Sequence, residues 1–236
     1  MFTRYTIKRS GKDEGERPFW ISYSDLMTAL MALFLVVMSV TLLSITKKVD
    51  QAEQRKIQRE QDISKIMQQI RQNSKNWSEV KVNESTYRID LGEIVRFDSG
   101  KAEITDQGKQ FLRNYIPVLL NAYSTEKGKQ WIRRIVIEGF TDQDGTYLYN
   151  LQLSLERSRQ VVCSLYESQL PEENPLTNEQ KALIRDLFLV GGYSFNSMKA
   201  SKEESRRVEL KIEFWQIDEV QTGRSNLSNK EFGICQ

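Results

Sequence analysis

The sequence of 236 residues contains no histidine, only two cysteines and only four prolines. Without histidine there is no Ser-His-Asp triad and no imidazole to move protons near neutral pH. Cys163 and Cys235 do not have metal-ligand spacing, so no metal site is predicted. A Walker A loop is also lacking, because Gly100-Lys101-Ala102 has neither the preceding glycine nor a following serine or threonine. We therefore expect a protein that is not an enzyme and needs no cofactor.

Neither sign of charge dominates the chain. It has 34 lysines and arginines against 32 aspartates and glutamates, which gives a formal net charge of +2. A strongly basic face is the usual mark of nucleic-acid binding, so no direct nucleic-acid partner is expected. The charged fraction of 28% is ordinary, and any long apolar run is therefore a local feature.

Such a run lies near the N-terminus, where residues 26–45 carry no charge. A helix needs roughly 20 apolar residues to cross a bilayer core of about 30 Å. A cleaved signal peptide would have a shorter apolar region of about 7–15 residues and a small-residue cleavage site. Here the run ends in two lysines at 47–48, so we predict an uncleaved transmembrane helix at 20–46.

One acidic residue, Asp25, precedes this run. A charged side chain in a membrane helix costs roughly 2.5–3.5 kcal/mol at the centre and less near an edge, and such residues commonly mark an ion pathway. Thr28 is three residues further on and would offer a hydroxyl group beside it. The alternative is that Asp25 is exposed in the first helical turn, where the helix dipole favours negative charge, and that Thr28 packs against a neighbouring helix.

The next segment predicts a helical linker over 47–82. Residues 47–76 are rich in glutamine, lysine, arginine and glutamate and contain no proline or glycine. An apolar stripe at helical spacing is formed by Ile63, Ile66, Met67 and Ile70. The stripe fits either a two-stranded contact between copies or a single solvated helix that serves as a spacer.

Strand and helix patterns alternate over 83–216 and predict one α+β domain. The predicted strands are 86–91, 131–139, 187–191 and 206–215. The predicted helices are 105–123, capped by Thr105 and kinked or broken at Pro117, 147–169 and 177–186. The core face expected for the helix at 147–169 consists of Leu148, Leu151, Leu155, Val162 and Leu165. Residues 217–236 are polar and are predicted to form a loose tail.

A polar loop follows the strand that ends at Gly139. Asp142 in this loop and Arg157 on the next helix would together hold a ligand that carries both an ammonium and a carboxylate group. Asn150 and Leu153 share a helix face with Arg157, because their spacing is i, i+3 and i+7. The alternative is that Asp142 caps the helix and that Arg157 pairs with Glu138 or Glu156.

The segment from Tyr23 to Val36, YSDLMTALMALFLV, resembles the signature of the MotB family of ion-conducting stator subunits. The resemblance implies that Asp25 binds the transported ion, a proton with sodium as the alternative. It also implies a homodimer inside a ring of MotA/ZorA-like subunits, which is pentameric. In that family the N-terminus is cytoplasmic, which places 1–19 in the cytoplasm and 47–236 in the periplasm of a bacterial inner-membrane protein.

The pattern G-x-T-D-x-x-G followed by N-x-x-L-S-x-x-R, at 139–157, resembles the OmpA-like peptidoglycan-binding domain. The Arg206-Arg207-Val208-Glu209 segment matches the last-strand motif of that domain. The resemblance implies an α/β sandwich that binds the diaminopimelate of the peptide stem. The implied pocket residues are Asp142 and Arg157, with Thr141, Tyr149, Asn150 and Leu153 lining the site.

The sequence departs from the OmpA-like pattern at three places. Phe140 replaces the usual histidine, Ser205 replaces the usual asparagine, and the segment 171–185 is longer than usual. These changes bear on affinity or on which wall component is bound.

With its short, proline-free spacer, the whole chain resembles the MotB-like subunits of Zorya anti-phage systems. A flagellar stator subunit and a passive cell-wall anchor are the alternatives. If the domain is exported, Cys163 and Cys235 are candidates for a disulfide; otherwise Cys163 is a small buried residue.

Overall fold

The computed structural model describes residues 19–167, 176–219, 232, 233 and 235. The predicted cytoplasmic segment lies outside these residues except for Phe19, and so does most of the predicted tail. The chain forms two compact units, one up to Gln54 and one from Arg55 onward.

Helix α1 spans Phe19–Asn73. Its N-terminal part includes an apolar window with a mean hydropathy of 2.5 and no buried residue, and it is long and apolar enough to cross a membrane. Asp25 is the seventh residue of this helix, counted from Phe19. The alternative that placed Asp25 in the first turn is therefore wrong, because the helix already includes the six residues before Asp25.

The C-terminal part of α1 belongs to the second unit, which begins at Arg55 and so includes residues predicted to be a linker. Its apolar stripe is buried in the core of this unit: Ile63, Ile66, Met67 and Ile70 are at most 2% exposed. Asp62 pairs with Lys127 beside the stripe, and the Ser74 hydroxyl lies 2.9 Å from the hydroxyl of Tyr115. Both predicted alternatives, a contact between copies and a solvated spacer, are wrong, because the stripe packs within its own chain.

Within the described residues, five strands form one sheet in the order β1-β2-β5-β3-β4. They are β1 (Lys81–Asn83), β2 (Arg88–Asp90), β3 (Ile132–Gly139), β4 (Phe188–Gly192) and β5 (Val208–Phe214). Only the β3–β4 pair is parallel among these strands. β2 to β5 match the predicted strands, whereas β1 was not predicted.

The remaining helices are α2 (Asp106–Ser124), α3 (Glu126–Trp131), α4 (Tyr147–Tyr166), α5 (Asn178–Leu187) and α6 (Lys202–Ser205). As predicted, Thr105 caps α2, because its side chain accepts a hydrogen bond from the Gly108 N–H. Pro117 lies inside α2, so of the predicted kink or break the break is wrong.

Helix α4 packs on β3 and β4, and it approaches Gly139 through Ser154 and Ser158. The predicted apolar core face is right for Leu165, which is buried in the core, and for Val162, which packs against it, but wrong for Leu148 and Leu155, which are 73% and 43% exposed. The buried face also includes Ser154, Arg157 and Ser158. The helix approaches so closely that a Cβ atom on Gly139 would lie 2.0 Å from the Ser154 carbonyl oxygen.

A disulfide joins Cys163 of α4 to Cys235, 72 residues further along the chain. Beside it, the ring of Phe232 lies 5.2 Å from that of Tyr166 and 5.8 Å from the guanidinium carbon of Arg185. The prediction of a loose tail is therefore wrong for Phe232 and Cys235.

Candidate functional site

Asp25 is the only ionisable residue between 24 and 46. The Thr28 hydroxyl donates a hydrogen bond of 2.8 Å to the carbonyl oxygen of Asp25. Three further hydroxyl groups of the span bond to carbonyls four residues back, those of Ser39, Thr41 and Thr46. These side chains satisfy their donors within their own helix, as polar groups in a membrane must. Thr28 therefore has a local structural role, and its part in an ion path stays a prediction.

The second predicted site is built around the loop between β3 and α4. The Asp142 carboxylate accepts a 3.0 Å hydrogen bond from the Asp144 N–H, and the Asn150 side-chain amide donates to the Asp144 carbonyl oxygen at 2.9 Å. The N-cap of α4 is Thr146, so the alternative that Asp142 caps this helix is wrong. Asp142 is buried, and its carboxylate is fixed by the loop.

Arg157 has no exposed surface. Its three guanidinium nitrogens each donate to a backbone carbonyl: Nε to Lys101 at 2.9 Å, Nη1 to Phe140 at 2.8 Å and Nη2 to Asp98 at 3.0 Å. Its guanidinium carbon also lies 5.0 Å from the centre of the Phe97 ring. Burial lowers the pKa of Arg157 to about 10, which the charge of nearby Asp142 opposes.

The alternative that paired Arg157 with a glutamate is wrong. Glu138 pairs with Arg88, and Glu156 pairs with Arg159. Arg157 instead ties the segment at 98–101 to the end of β3.

Arg206 is the ion-pair partner of Asp142, with Nη1 and Oδ2 3.0 Å apart. Burial on its own raises the pKa of Asp142, but the hydrogen bonds from Arg206 and from the Asp144 N–H outweigh it and leave that pKa below its usual range. A second ion pair between the same two segments joins Lys202 to Asp144 at 2.7 Å.

Neither Arg206 nor Lys202 was predicted as a site residue. Arg206 lies 64 residues beyond Asp142, so no local spacing relates them. The available signal was the Arg206-Arg207 motif, whose resemblance to the OmpA-like pattern pointed only to the last strand.

The other predicted residues surround this centre. Thr141 is buried, and its hydroxyl oxygen has no hydrogen-bond partner within the described part of the chain. The ring of Tyr149 covers the loop, since a Cβ atom on Gly145 would lie 3.0 Å from its Cδ1. Leu153 is half-buried on α4.

Phe140, which replaces the usual histidine, is a packing residue. It is buried, and its ring centre lies 4.1 Å from the guanidinium carbon of Arg207 and 5.4 Å from the centre of the Tyr193 ring. A cation over an aromatic face is attracted by the ring quadrupole.

We expect Arg206→Gln to lower the free energy of unfolding by about 1.5–3 kcal/mol at pH 7, the usual range for a charged hydrogen bond. Because the native pKa of Asp142 is lowered, the pair stabilises the fold fully above the unfolded pKa of about 3.9. The contribution of the ion pair is lost as the pH falls through the lower pKa that Asp142 has in the folded state. Urea unfolding at pH 7 and pH 3 should therefore show a smaller difference between wild type and variant at pH 3.

Lys202→Gln is the matched control, because both members of its pair are about half exposed. It should cost no more than about 1 kcal/mol. An Arg206→Gln effect of equal size at both pH values would contradict the charge-pair explanation.

The order of these elements defines the class: a membrane helix followed by an α+β domain with the site at the end of strand β3. Residues 96–205 match the OmpA family, and residues 5–57 match the family described as membrane MotB of the proton-channel complex MotA/MotB. The protein is therefore a single-pass, MotB-like inner-membrane protein with an OmpA-like domain. These matches confirm both resemblances and the predicted fold class.

A relative covers nearly the whole chain. The Zorya protein ZorB of Escherichia coli O139:H28 (strain E24377A / ETEC) is 46% identical over 238 residues, which is 98% of this chain and 96% of the relative. The chain belongs to the ZorB family.

Solved structures with lower identity are also similar. The periplasmic domain of Helicobacter pylori MotB is 15% identical, with a TM-score of 0.39, over 56% of this chain and 82% of that domain. The cell wall anchor of the T6SS from Pseudomonas aeruginosa is 17% identical, with a TM-score of 0.39, over 62% of this chain and 95% of that anchor.

Proposed function

We propose that this protein is the ion-conducting, wall-anchored subunit of a membrane motor that acts in anti-phage defence. Two copies present Asp25 to a pentameric ring of larger MotA/ZorA-like subunits, and binding and release of a proton at Asp25 drive that ring. The OmpA-like domain holds the dimer stationary by binding peptidoglycan. No enzymatic activity and no cofactor enter the proposal.

The observation that carries this proposal is the position of Asp25. It lies in the second turn of a helix whose next 20 residues, 26–45, are uncharged, and the segment around it matches the MotB proton-channel family. An acid at that depth is costly in a membrane and is retained where it has an ion to carry.

The disulfide supports the proposed orientation. Disulfides persist in oxidising compartments such as the periplasm and are rare in the cytosol. Cys163 and Cys235 are bonded in the second unit, which suits a periplasmic location for that unit and a cytoplasmic N-terminus.

The test is Asp25→Asn in the full chain, produced with its partner subunit and the rest of the defence system. The amide cannot take and release a proton, so plaque counts should rise to those of cells that lack the system, while the amount of the variant in the membrane stays unchanged. Asp50→Asn, an exposed position further along the same helix, is the matched control and should protect fully. Full protection by Asp25→Asn would refute ion transport and favour a passive wall anchor.

A further inference from the structure

Strand β4 forms one edge of the sheet and leaves it open. Among the described residues β4 pairs only with β3, and its Leu189 and Val190 are each 47% exposed. Residues 187–198 include no charged residue and no proline, in a chain of which 28% of the residues are charged. An exposed edge strand that lacks both is a template on which another strand pairs.

The opposite edge of the sheet is protected against such pairing. Strand β1 is three residues long, and the side chain of Lys81 is exposed on it. Short length and an exposed lysine are two of the ways in which proteins prevent an edge strand from pairing with another chain. Of the two edge strands that the structure describes, β4 is therefore the one that is open to a partner.

Helix α4 adds apolar surface beside the same edge. Leu155 is exposed although it packs on β4, since a Cβ atom on Gly192 would lie 2.6 Å from its Cγ. Leu148, two turns earlier on the helix, is exposed as well. These leucines were expected in the core of the domain and instead lie outside it. Contiguous exposed apolar surface marks a place where a protein partner binds.

The hydrogen bonds of β4 show which backbone groups a partner strand would meet. The Tyr193 N–H donates to the Gly139 carbonyl oxygen at 3.0 Å in the parallel pairing with β3. Backbone groups alternate in direction along a strand, so those of Leu189 and Gly191 also face β3. The N–H and the carbonyl group of Val190 therefore face away from β3, toward the open edge.

We propose that this edge joins the OmpA-like domains of two copies of the chain, with β4 paired to β4 of the second copy about a two-fold axis at Val190. The inference rests on the proposed function, which requires a dimer, and it names the surface through which the domains meet. A two-fold contact uses the same patch on both copies, and a strand that pairs with its own copy in this way is antiparallel.

The backbone of β4 is complementary to itself in this register. Each Val190 would donate its N–H to the Val190 carbonyl oxygen of the other copy. Phe188 would lie opposite Gly192, whose N–H would donate to the Phe188 carbonyl oxygen, which gives about four hydrogen bonds between the strands. The Phe188 N–H is not needed, because it already donates within its own chain at the end of α5.

The side chains are also complementary, because each glycine lies opposite a large residue. On the sheet face away from the helices, Leu189 would lie over the second copy's Gly191. The side chains of Tyr193 and Val136 are 3.4 Å and 3.8 Å from the position of a Cβ atom on Gly191, so they offer apolar surface to this leucine.

On the helix side, Phe188 would lie beside the second copy's Gly192, on which Leu155 packs. The exposed surface of Leu155 would then be covered by the second copy. The two copies of α4 would lie on the same face of one continuous sheet, so the interface has an apolar helix layer over its paired strands.

The test is disulfide cross-linking of the full chain in membranes that also contain its partner subunit. Leu189→Cys and Gly191→Cys are produced together with different tags, and the membranes are mildly oxidised. The native Cys163 and Cys235 are bonded to each other, so the introduced thiols are the ones that react. Directly opposite, non-hydrogen-bonded residues have Cα atoms about 4.5 Å apart, which a disulfide spans. Mixed dimers should therefore shift to a covalent band at the mass of two chains.

Three controls locate the contact. Leu189→Cys alone or Gly191→Cys alone should not cross-link, because the two cysteines would be diagonal neighbours about 7–8 Å apart. Lys81→Cys, on the other edge strand, should give no covalent dimer either. Val190→Lys, added to both chains of the mixed pair, places like charges opposite each other and should abolish the cross-link. Thermal melting checks that each variant is folded.

A mixed pair that cross-links no better than either variant alone would overturn the assignment. A cross-link that survives Val190→Lys, or a covalent band at the mass of a different protein, would overturn it too. Asp25→Asn in the same mixed pair separates this inference from the proposed function. Full protection by that variant refutes ion transport whether or not the cross-link forms, whereas lost protection without a cross-link refutes this interface alone.

Discussion

Replacement of Arg88 by methionine is expected to lower the free energy of unfolding by about 3–5 kcal/mol, the usual cost of leaving a buried charge without its partner. Arg88 lies between two carboxylates on the sheet face away from the core. Its Nη1 pairs with Glu138 and lies 3.0 Å from Oε2 of Glu209.

The expected effect is large because the two carboxylates face each other. Glu138 of β3 and Glu209 of β5 are directly opposite in the register, where like charges repel. Glu209 keeps a partner, since Arg207 donates to it at 2.7 Å. Glu138 is fully buried, and its Oε1 already has no hydrogen-bond partner among the described residues, so the variant leaves the buried charge without the arginine that pairs with it.

Urea unfolding of the full chain in detergent measures this effect. Arg134→Met is the matched control, because the Arg134–Glu213 pair lies on the same sheet face but is partly exposed. It should cost no more than about 1 kcal/mol. The double variant Arg88→Met/Glu138→Leu should recover most of the lost stability, since it removes both charges. If Arg88→Met and Arg134→Met lose the same free energy of unfolding, then the burial of Glu138 does not determine the cost of removing its partner.

Elements with a clear hydrophobic period could be predicted from the sequence. β5 alternates apolar and charged residues over Val208–Phe214, and the structure buries the apolar ones in the core. β1 was missed because Lys81–Asn83 is three residues long and mostly polar, and only its pairing with β2 makes it a strand.

Two predictions were wrong because a hydrophobic pattern alone does not determine how a helix packs. The stripe from Ile63 to Ile70 correctly indicated a buried helix face, but periodicity does not say which surface covers it. On α4 the rule that leucines mark the core held for Leu165 and failed for Leu148 and Leu155, because Ser154 and Gly139 let this part of the helix lie directly on the sheet. A close approach of two backbones needs small side chains between them, and a hydrophobic pattern does not report side-chain size.

The residues of the candidate site were also predicted only in part. Asp142 and Arg157 were found because they lie in one short motif. Arg206 contacts Asp142 only through the folding of β5 beside β3, so no local motif relates the two residues.

Gly139→Ala is expected to lower the free energy of unfolding by about 3 kcal/mol, at the upper end of the usual cost of overpacking. The new Cβ atom would lie 2.0 Å from the Ser154 carbonyl oxygen and 2.9 Å from the Ser154 carbonyl carbon. Both are backbone atoms of α4, so no side-chain rotation relieves the overlap and the helix must move away from β3.

If α4 moves away from β3, the variant molecules that stay folded are also expected to bind the cell wall less well. Arg157 is on α4, and its Nη1 donates a hydrogen bond of 2.8 Å to the carbonyl oxygen of Phe140, the residue that follows Gly139. This hydrogen bond therefore joins α4 to the end of β3 beside the same contact. A shift of the helix therefore weakens the support of the Asp142 loop, and retention on isolated sacculi should fall together with stability.

Gly191→Ala is the control, because Gly191 is opposite Glu138 on the neighbouring strand and the nearest atom to its new Cβ would be Cε2 of Tyr193 at 3.4 Å, an ordinary contact. Urea unfolding and sacculus retention, measured on both variants of the full chain, separate the two sites. If Gly139→Ala is as stable and as well retained as Gly191→Ala, then α4 does not need its close approach to β3, and the positioning of Arg157 must come from its carbonyl contacts alone.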